Sequence, residues 1–183
     1  MRDTLAPLLP RVAAGDRAAL AALYRAVEKP LFRFLLSRVN DPAEAADLLQ
    51  DVFMEVWRGA DRFEGRAKVQ TWIFGIARRK AIDAHRRRGR LAPEEDAPED
   101  ADDSPDALAC LAAAQEAAHV RHCLGELSEA HRSVVALAFY EDMTQAEIAE
   151  VEGVPEGTVK SRLHHAKRLL LRCLEGRMGR REA

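Results

Sequence analysis

Thr144-Gln-Ala-Glu-Ile-Ala-Glu-Val-Glu-Gly-Val-Pro-Glu-Gly-Thr-Val-Lys-Ser-Arg-Leu163 is the stretch whose reading decides the fold. It predicts a short helix beginning at Thr144, a turn at Gly153-Val154, and a longer helix entered through Pro155, whose missing N–H would be unpaired in a first turn anyway. Two helices joined in this way form a helix-turn-helix, in which the second helix enters a DNA major groove. Ile148, Ala149 and Val154 are placed to pack the pair together. Val159, Leu163, Ala166 and Leu170 recur at 4-3-4 spacing and hold the second helix, which runs to about Glu175, on its domain. Its other face presents Lys160, Ser161, Arg162, His165 and Arg168, with Thr158 at its start. Arginine grips guanine with two parallel bonds, while lysine and hydroxyl groups reach phosphates or base edges.

Upstream of this unit the pattern is again helical. Residues 106–124 read as one helix, and Ser128 as the cap of another that ends at Tyr140. No strand-like alternation occurs, and abundant alanine and leucine with few aromatics favour helices. Pro93 to Pro105, PEEDAPEDADDSP, is proline-punctuated and densely acidic, so residues 93–107 are expected to be an extended, flexible linker. The expected fold is therefore all-α: two small helical domains, 1–92 and 108–183, joined by an acidic tether. Charge follows the same division. Residues 1–92 carry 18 bases against 11 acids, residues 93–113 eight acids and no base, and residues 158–181 eight bases against Glu175 alone. Two basic surfaces separated by an acidic tether are the footprint of a nucleic-acid-binding chain.

In the first domain Asp16 is positioned to cap a helix through Leu20, Leu23, Tyr24 and Val27, and Leu31 to Val39 reads as a second segment that stops at Asn40-Asp41-Pro42. Leu48, Leu49, Val52, Phe53 and Val56 then form a core-facing stripe. Asp47, Gln50, Asp51 and Met54 lie on the opposite face. Phe63-Glu-Gly-Arg66 reads as a loop before a helix from Thr71 to about Arg88. Between Arg78 and Arg90 the chain carries seven bases, which with exposed aromatics suit a single strand: rings stack on bases and cations meet phosphates.

The segment Glu147-Ile-Ala through Gly153-Val-Pro-Glu-Gly-Thr-Val-Lys-Ser-Arg-Leu163 resembles the promoter-reading C-terminal domain of the extracytoplasmic-function sigma factors of bacterial RNA polymerase. The resemblance implies that Thr144, Thr158, Lys160, Ser161, Arg162, His165 and Arg168 lie where that family reads the minus-thirty-five element. Ala45-Ala-Asp-Leu-Leu-Gln-Asp-Val-Phe-Met-Glu-Val-Trp57 resembles the family segment that grips the polymerase clamp helices, with Asp47, Gln50, Asp51, Met54 and Trp57 at the contacting positions. Phe63 to Arg88 resembles the segment that reads and melts the minus-ten element. There the resemblance implies a base-binding loop at Phe63, Glu64, Gly65, Arg66 and Lys68, followed by Thr71, Trp72, Arg78, Arg79, Lys80, Arg86 and Arg87. Trp72, Ile73 and Ile76 also read as plain core. The family often has an acid at Ala46, asparagine at Arg79, arginine at His165 and leucine at Glu152. The last departure requires Glu152 to be exposed, with Val151 taking the apolar contact.

The implied partners are core polymerase (clamp helices and flap), promoter DNA and an anti-sigma factor. The acidic linker is expected either to occupy a basic channel made for RNA, which growing transcript would displace it from, or to serve as a solubilising tether. No cofactor and no catalysis of its own are expected, since polymerase performs the phosphoryl transfer. No run approaches the roughly 20 apolar residues of a membrane span, and Met1 to Pro10 lacks a signal-peptide core. A cytoplasmic protein is expected, with Cys110, Cys123 and Cys173 as reduced thiols. Two alternatives stay open. An autonomous helix-turn-helix regulator would account for residues 144–175 but leave Asp47–Trp57 and Phe63–Arg88 unexplained. A metal site on His119, His122 and Cys123, with His131 or Cys110, lacks a second Cys-x-x-Cys pair and any HExxH motif.

Overall fold

The structure is a computed structural model that describes residues 3–88 and 118–178, and all regular structure among those residues is helical. The first domain holds α1 (Leu8–Ala13), α2 (Arg17–Val39), α3 (Pro42–Gly59), one 3-10 turn (Ala60–Arg62) and α4 (Val69–Arg88). The second holds α5 (118–125), α6 (Glu129–Phe139), α7 (Gln145–Glu152) and α8 (Glu156–Met178). The acidic stretch 93–107, most of the helix expected from Asp106, and Cys110 lie outside the described residues.

Polar side chains set the helix starts. The Asp16 carboxylate accepts the Ala18 and Ala19 N–H groups at 2.9 and 3.1 Å and also receives Arg11. Asp41 does the same for α3 with Ala43 and Glu44, and Pro42 takes the first helical position. Asn40, in the left-handed region at φ 55°, closes α2, so α2 and α3 meet across only Asn40 and Asp41. α2 is one helix where the sequence suggested two segments: Pro30 lies inside it. A proline there removes a backbone bond and crowds the preceding turn. Val27, Leu31, Phe34 and Leu35 are all buried on either side of it, and their burial outweighs the cost. Ser128 caps nothing through its side chain; its hydroxyl meets His131 Nδ1 at 2.9 Å. Arg132 ties the two helices instead, donating to the Leu124, Gly125 and Leu127 carbonyls at the end of α5.

Phe74 is fully buried near the middle of the core, its ring centroid 5.1 Å from that of Phe34. Leu23, Leu31, Leu35, Val52, Val56, Ile73 and Ile76 surround the same core. Ile73 and Ile76 are thus core residues. Truncating Phe74 to alanine should destabilise the protein by about 3–5 kcal/mol, read as a lower urea midpoint with an unchanged slope. The core does not stop at the first domain: Val134, Leu137, Met143, Ile148 and Val151 of the second domain continue it.

The cysteines correct the sequence expectation. Cys123 and Cys173 form a disulfide across 50 residues. Their count and spacing suggested reduced thiols. The pairing arises because α5 and α8 pack side by side and bring the two Cα atoms to 5.8 Å, within the reach of a bridge. Cys123 is thereby also taken from the metal alternative.

Candidate nucleic-acid and polymerase interface

α3 buries Ala45, Leu48, Leu49, Val52, Phe53 and Val56. Burying that face forces Asp47, Gln50, Asp51 and Met54 outward, and all four are exposed. Met54 is 47% exposed, a large apolar side chain held in solvent between carboxylates. Trp57, one turn on, is half-buried and packs on the core. Two carboxylates, an amide, a thioether and an indole thus form one outward strip on a rigid helix.

Beyond the 3-10 turn, Phe63 packs against Trp72 with the rings tilted by 54° and 5.2 Å between centroids. Gly65 adopts φ 70°, a conformation that disfavours any side chain there, and Glu64 and Arg66 pair beside it. Val69 opens α4 two residues before the expected start, and its N–H donates to Asp3 at 2.7 Å. Thr71 is 2% exposed. Placed among the DNA contacts by the resemblance, it faces inward because it shares the buried side of α4 with Phe74. Arg79 and Lys80 both reach Glu55 on α3, at 3.4 and 3.0 Å. Burial pushes the Glu55 carboxyl up, but the Lys80 and Arg79 bonds outweigh it and leave the group below its ordinary value. Arg86 and Arg87 project from the end of α4 and are exposed.

In the second domain Thr144 and Glu147 form a capping box. The Thr144 hydroxyl accepts the Glu147 N–H, and the Glu147 carboxylate accepts the Thr144 N–H at 2.8 Å. Gly153, at φ 59°, ends α7 and turns the chain into α8. Val159 and Ala166 are fully buried, and Leu163 and Leu170 pack beside them. Lys160, Ser161, His165 and Arg168 are therefore exposed, while Thr158 and Arg162 are half-buried. Ser161 donates to the Thr158 carbonyl at 2.9 Å, which leaves its oxygen free to accept.

Glu152 departs most from the sequence reading: it is buried, not exposed. Its carboxylate accepts from Arg38 on α2 and from the Ser133 hydroxyl on α6, and Arg78 Nε of α4 lies 3.5 Å away. A buried carboxylate is tolerated when cations and donors surround it, and its two cations come from the other domain, out of reach of any local pattern. Lys68 meets Glu147 at 2.6 Å, Arg33 meets Glu141 at 3.5 Å, and Gln70 donates to Glu141 at 3.1 Å. Arg38 also reaches Glu129 at 3.0 Å. The first domain supplies the cations of this seam and the second the acids.

The seam carboxyls titrate in opposite senses. Burial pushes Glu147 up, but Lys68 and the Thr144 N–H and hydroxyl outweigh it and hold the group below its ordinary 4.5. Burial wins at Glu141, which is raised although Arg33 pulls it down. A depressed carboxyl stabilises the fold above its unfolded value and loses that contribution as pH falls through the folded one. A raised one does the reverse. Glu147→Gln should therefore flatten the fall in melting temperature between about pH 5 and pH 3, measured against the parent chain by circular dichroism.

Residues 23–91 match the Sigma-70 region 2 family and residues 118–170 the Sigma-70, region 4 family. The ECF RNA polymerase sigma factor RpoE of Cereibacter sphaeroides is 36% identical over 152 residues, covering 82% of this chain and 83% of its own. The ECF RNA polymerase sigma factor SigK of Mycobacterium tuberculosis is 30% identical over 179 residues, with 96% of both chains covered. The chain belongs to the ECF sigma factors. Solved members of this fold resemble it along most of its length. The chain CnrH, solved in complex with the cytosolic domain of CnrY, superposes with a TM-score of 0.68 at 24% identity, over 93% of this chain and 97% of that one. The sigma factor RpoE of Bartonella quintana, solved with the anti-sigma factor NepR, gives 0.66 at 25% identity, over 85% and 96%. As an ECF sigma factor the protein is a promoter-selecting subunit of RNA polymerase. The autonomous-regulator alternative, which left α3 and α4 without a role, falls away. No helix among the described residues is long and apolar enough to cross a membrane.

Proposed function

We propose that this ECF sigma factor docks on the clamp helices of core polymerase through Asp47, Gln50, Asp51, Met54 and Trp57. In this reading the Phe63–Lys68 loop, with Trp72, Arg78, Arg79, Lys80, Arg86 and Arg87, reads and melts the minus-ten element. α8 reads the minus-thirty-five element through Thr158, Lys160, Ser161, Arg162, His165 and Arg168, with Thr144 at the edge of that surface. Residues 1–92 and 108–183 serve as the two working domains, the second also meeting the polymerase flap, with the acidic stretch 93–107 between them. The observation that carries the proposal is the outward strip of α3 and the outward cations of α8 on opposite halves of one chain, each forced out by burial of the face behind it. Polymerase performs the chemistry, and the protein works in the cytoplasm beside it. The anti-sigma complexes of its structural neighbours make a protein inhibitor of the same kind its expected regulator.

Transcription reconstituted from core polymerase tests this, using the promoter upstream of the protein's own gene. Discrete transcripts should require both components. Arg162→Ala should weaken recognition of the minus-thirty-five duplex by about 1–3 kcal/mol and relax preference at one base pair. A chain that shifts duplex DNA alone and never joins core would defeat the proposal.

A further inference from the structure

We propose that His131 of α6 is a further DNA contact of the minus-thirty-five surface, gripping one duplex phosphate together with His165 of α8. The inference rests on the assignment of α8 to that element. The two imidazole rings come from different helices, yet their centroids lie 6.2 Å apart with planes tilted by 40°. The packing beneath them sets this spacing: Leu127, Val135 and Ala166 form one buried cluster, with Leu163 and Leu170 packed against it. His165 directly precedes buried Ala166 and is exposed, and His131 is half-buried near the start of α6. Charge-assisted bonds to a phosphate oxygen span about 2.7–2.9 Å, so rings this close reach oxygens of a single phosphate.

The surroundings prepare His131 for an anion. Ser128, whose hydroxyl caps no helix N–H, places that hydroxyl 2.9 Å from Nδ1 of His131. The bond engages one ring nitrogen and leaves Nε2 to meet a ligand, the division that fixes an imidazole's orientation. Most nearby charges are committed elsewhere. Arg132 donates to the carbonyls at the end of α5, and the Glu129 carboxylate is held by Arg38 of α2. Arg33 of α2 goes to Glu141, and Glu152 of α7 is buried against Arg38. α5 contributes Arg121, His122 and, just beyond its end, Glu126, all exposed. α8 adds Arg162, Arg168 and His164, whose ring lies 6.2 Å from that of His165. A guanidinium fork is always charged and grips a phosphate alone, whereas an imidazole carries its charge only below about pH 6.5. A phosphate shared by two imidazoles favours their charged forms. The complex then holds more protons than the separate partners, and affinity rises as pH falls through that range.

The test uses holoenzyme and a duplex that carries the minus-thirty-five element of the protein's own promoter but stops short of the minus-ten. At about pH 6, His131→Gln and His165→Gln should each weaken binding about fivefold, and at about pH 8 by less than about twofold. Circular dichroism should show unchanged helix content in each variant. The double variant should lose little more than either single one, because the two rings serve one phosphate. Methylphosphonate scanning, which removes the charge of one phosphate at a time, checks this on the parent chain. One position should cost the parent affinity and leave the double variant unaffected. If Arg162→Ala and His165→Gln weaken binding but His131→Gln does not, or costs the same at both pH values, the His131 contact is overturned and the α8 assignment stands. If none of the three changes alters affinity, the α8 assignment falls and takes the contact with it. Losses from the two histidines that simply add, with no shared phosphate in the scan, would also overturn the proposal.

Discussion

Replacing Asp47 and Asp51 with arginine should abolish promoter-dependent transcription by the reconstituted enzyme while leaving the protein folded. Both residues sit in mid-helix on the exposed side of α3, and arginine is a good helix former. The six buried residues behind them are untouched. The change turns an acidic strip into a basic one at the face assigned to core polymerase, where like charges brought together cost several kcal/mol. A loss of about 3 kcal/mol corresponds to more than a hundredfold in Kd. Co-purification with core and transcript yield should both collapse, with far-UV circular dichroism unchanged. Undiminished transcription would move the polymerase contact off α3. Met54→Ala, which removes apolar area without reversing charge, should cost far less.

The second large effect lies in the other domain. Cutting the Cys123–Cys173 bridge with Cys173→Ser should remove about 4 kcal/mol of stability in the chain-entropy account, since the bridge closes a loop of 50 residues. Urea titration in the absence of reductant reads the difference, and excess reductant should bring the two proteins together. Thiol titration of the native chain should find one reactive group, because the bridge uses two of the three cysteines. Coincident unfolding curves without reductant would show that the packing of α5 on α8 needs no covalent support.

The helix-turn-helix could be read from its residues because each of its devices is local. The Thr144–Glu147 box, the left-handed Gly153 and the Val159–Ala166 stripe depend on neighbours a few positions away. The outward strip of α3 was legible for the same reason, since a helix that buries Leu48, Val52 and Val56 has only one other side. The features that escaped all depend on distant partners. Glu152 looked like a solvated acid because Arg38 and Arg78 lie 114 and 74 positions away in the chain and meet it only when the domains pack. The disulfide escaped because nothing between Cys123 and Cys173 marks α5 and α8 as neighbours. Leu31 to Val39 read as a separate segment because the burial that carries one helix through Pro30 involves distant partners. Thr71 was assigned to DNA by resemblance, and only the rotation of α4 about its axis decided that it faces inward.

The joint between α2 and α3 has a mechanical consequence. Asn40 is committed to the left-handed turn that stops one helix, and Asp41 to the two bonds that start the next. Neither is free to absorb a change in dihedral angle, so the elbow cannot serve as a hinge. Arg38, two residues before it, and Asp47, six residues after it, are carried on a single rigid bracket. A load taken up by the strip on α3 is thus delivered whole to the arginine that grips Glu152, with no slack between the two. The compliant element is the seam, and any machine that grasps this subunit by α3 must either carry the second domain along or break that grip.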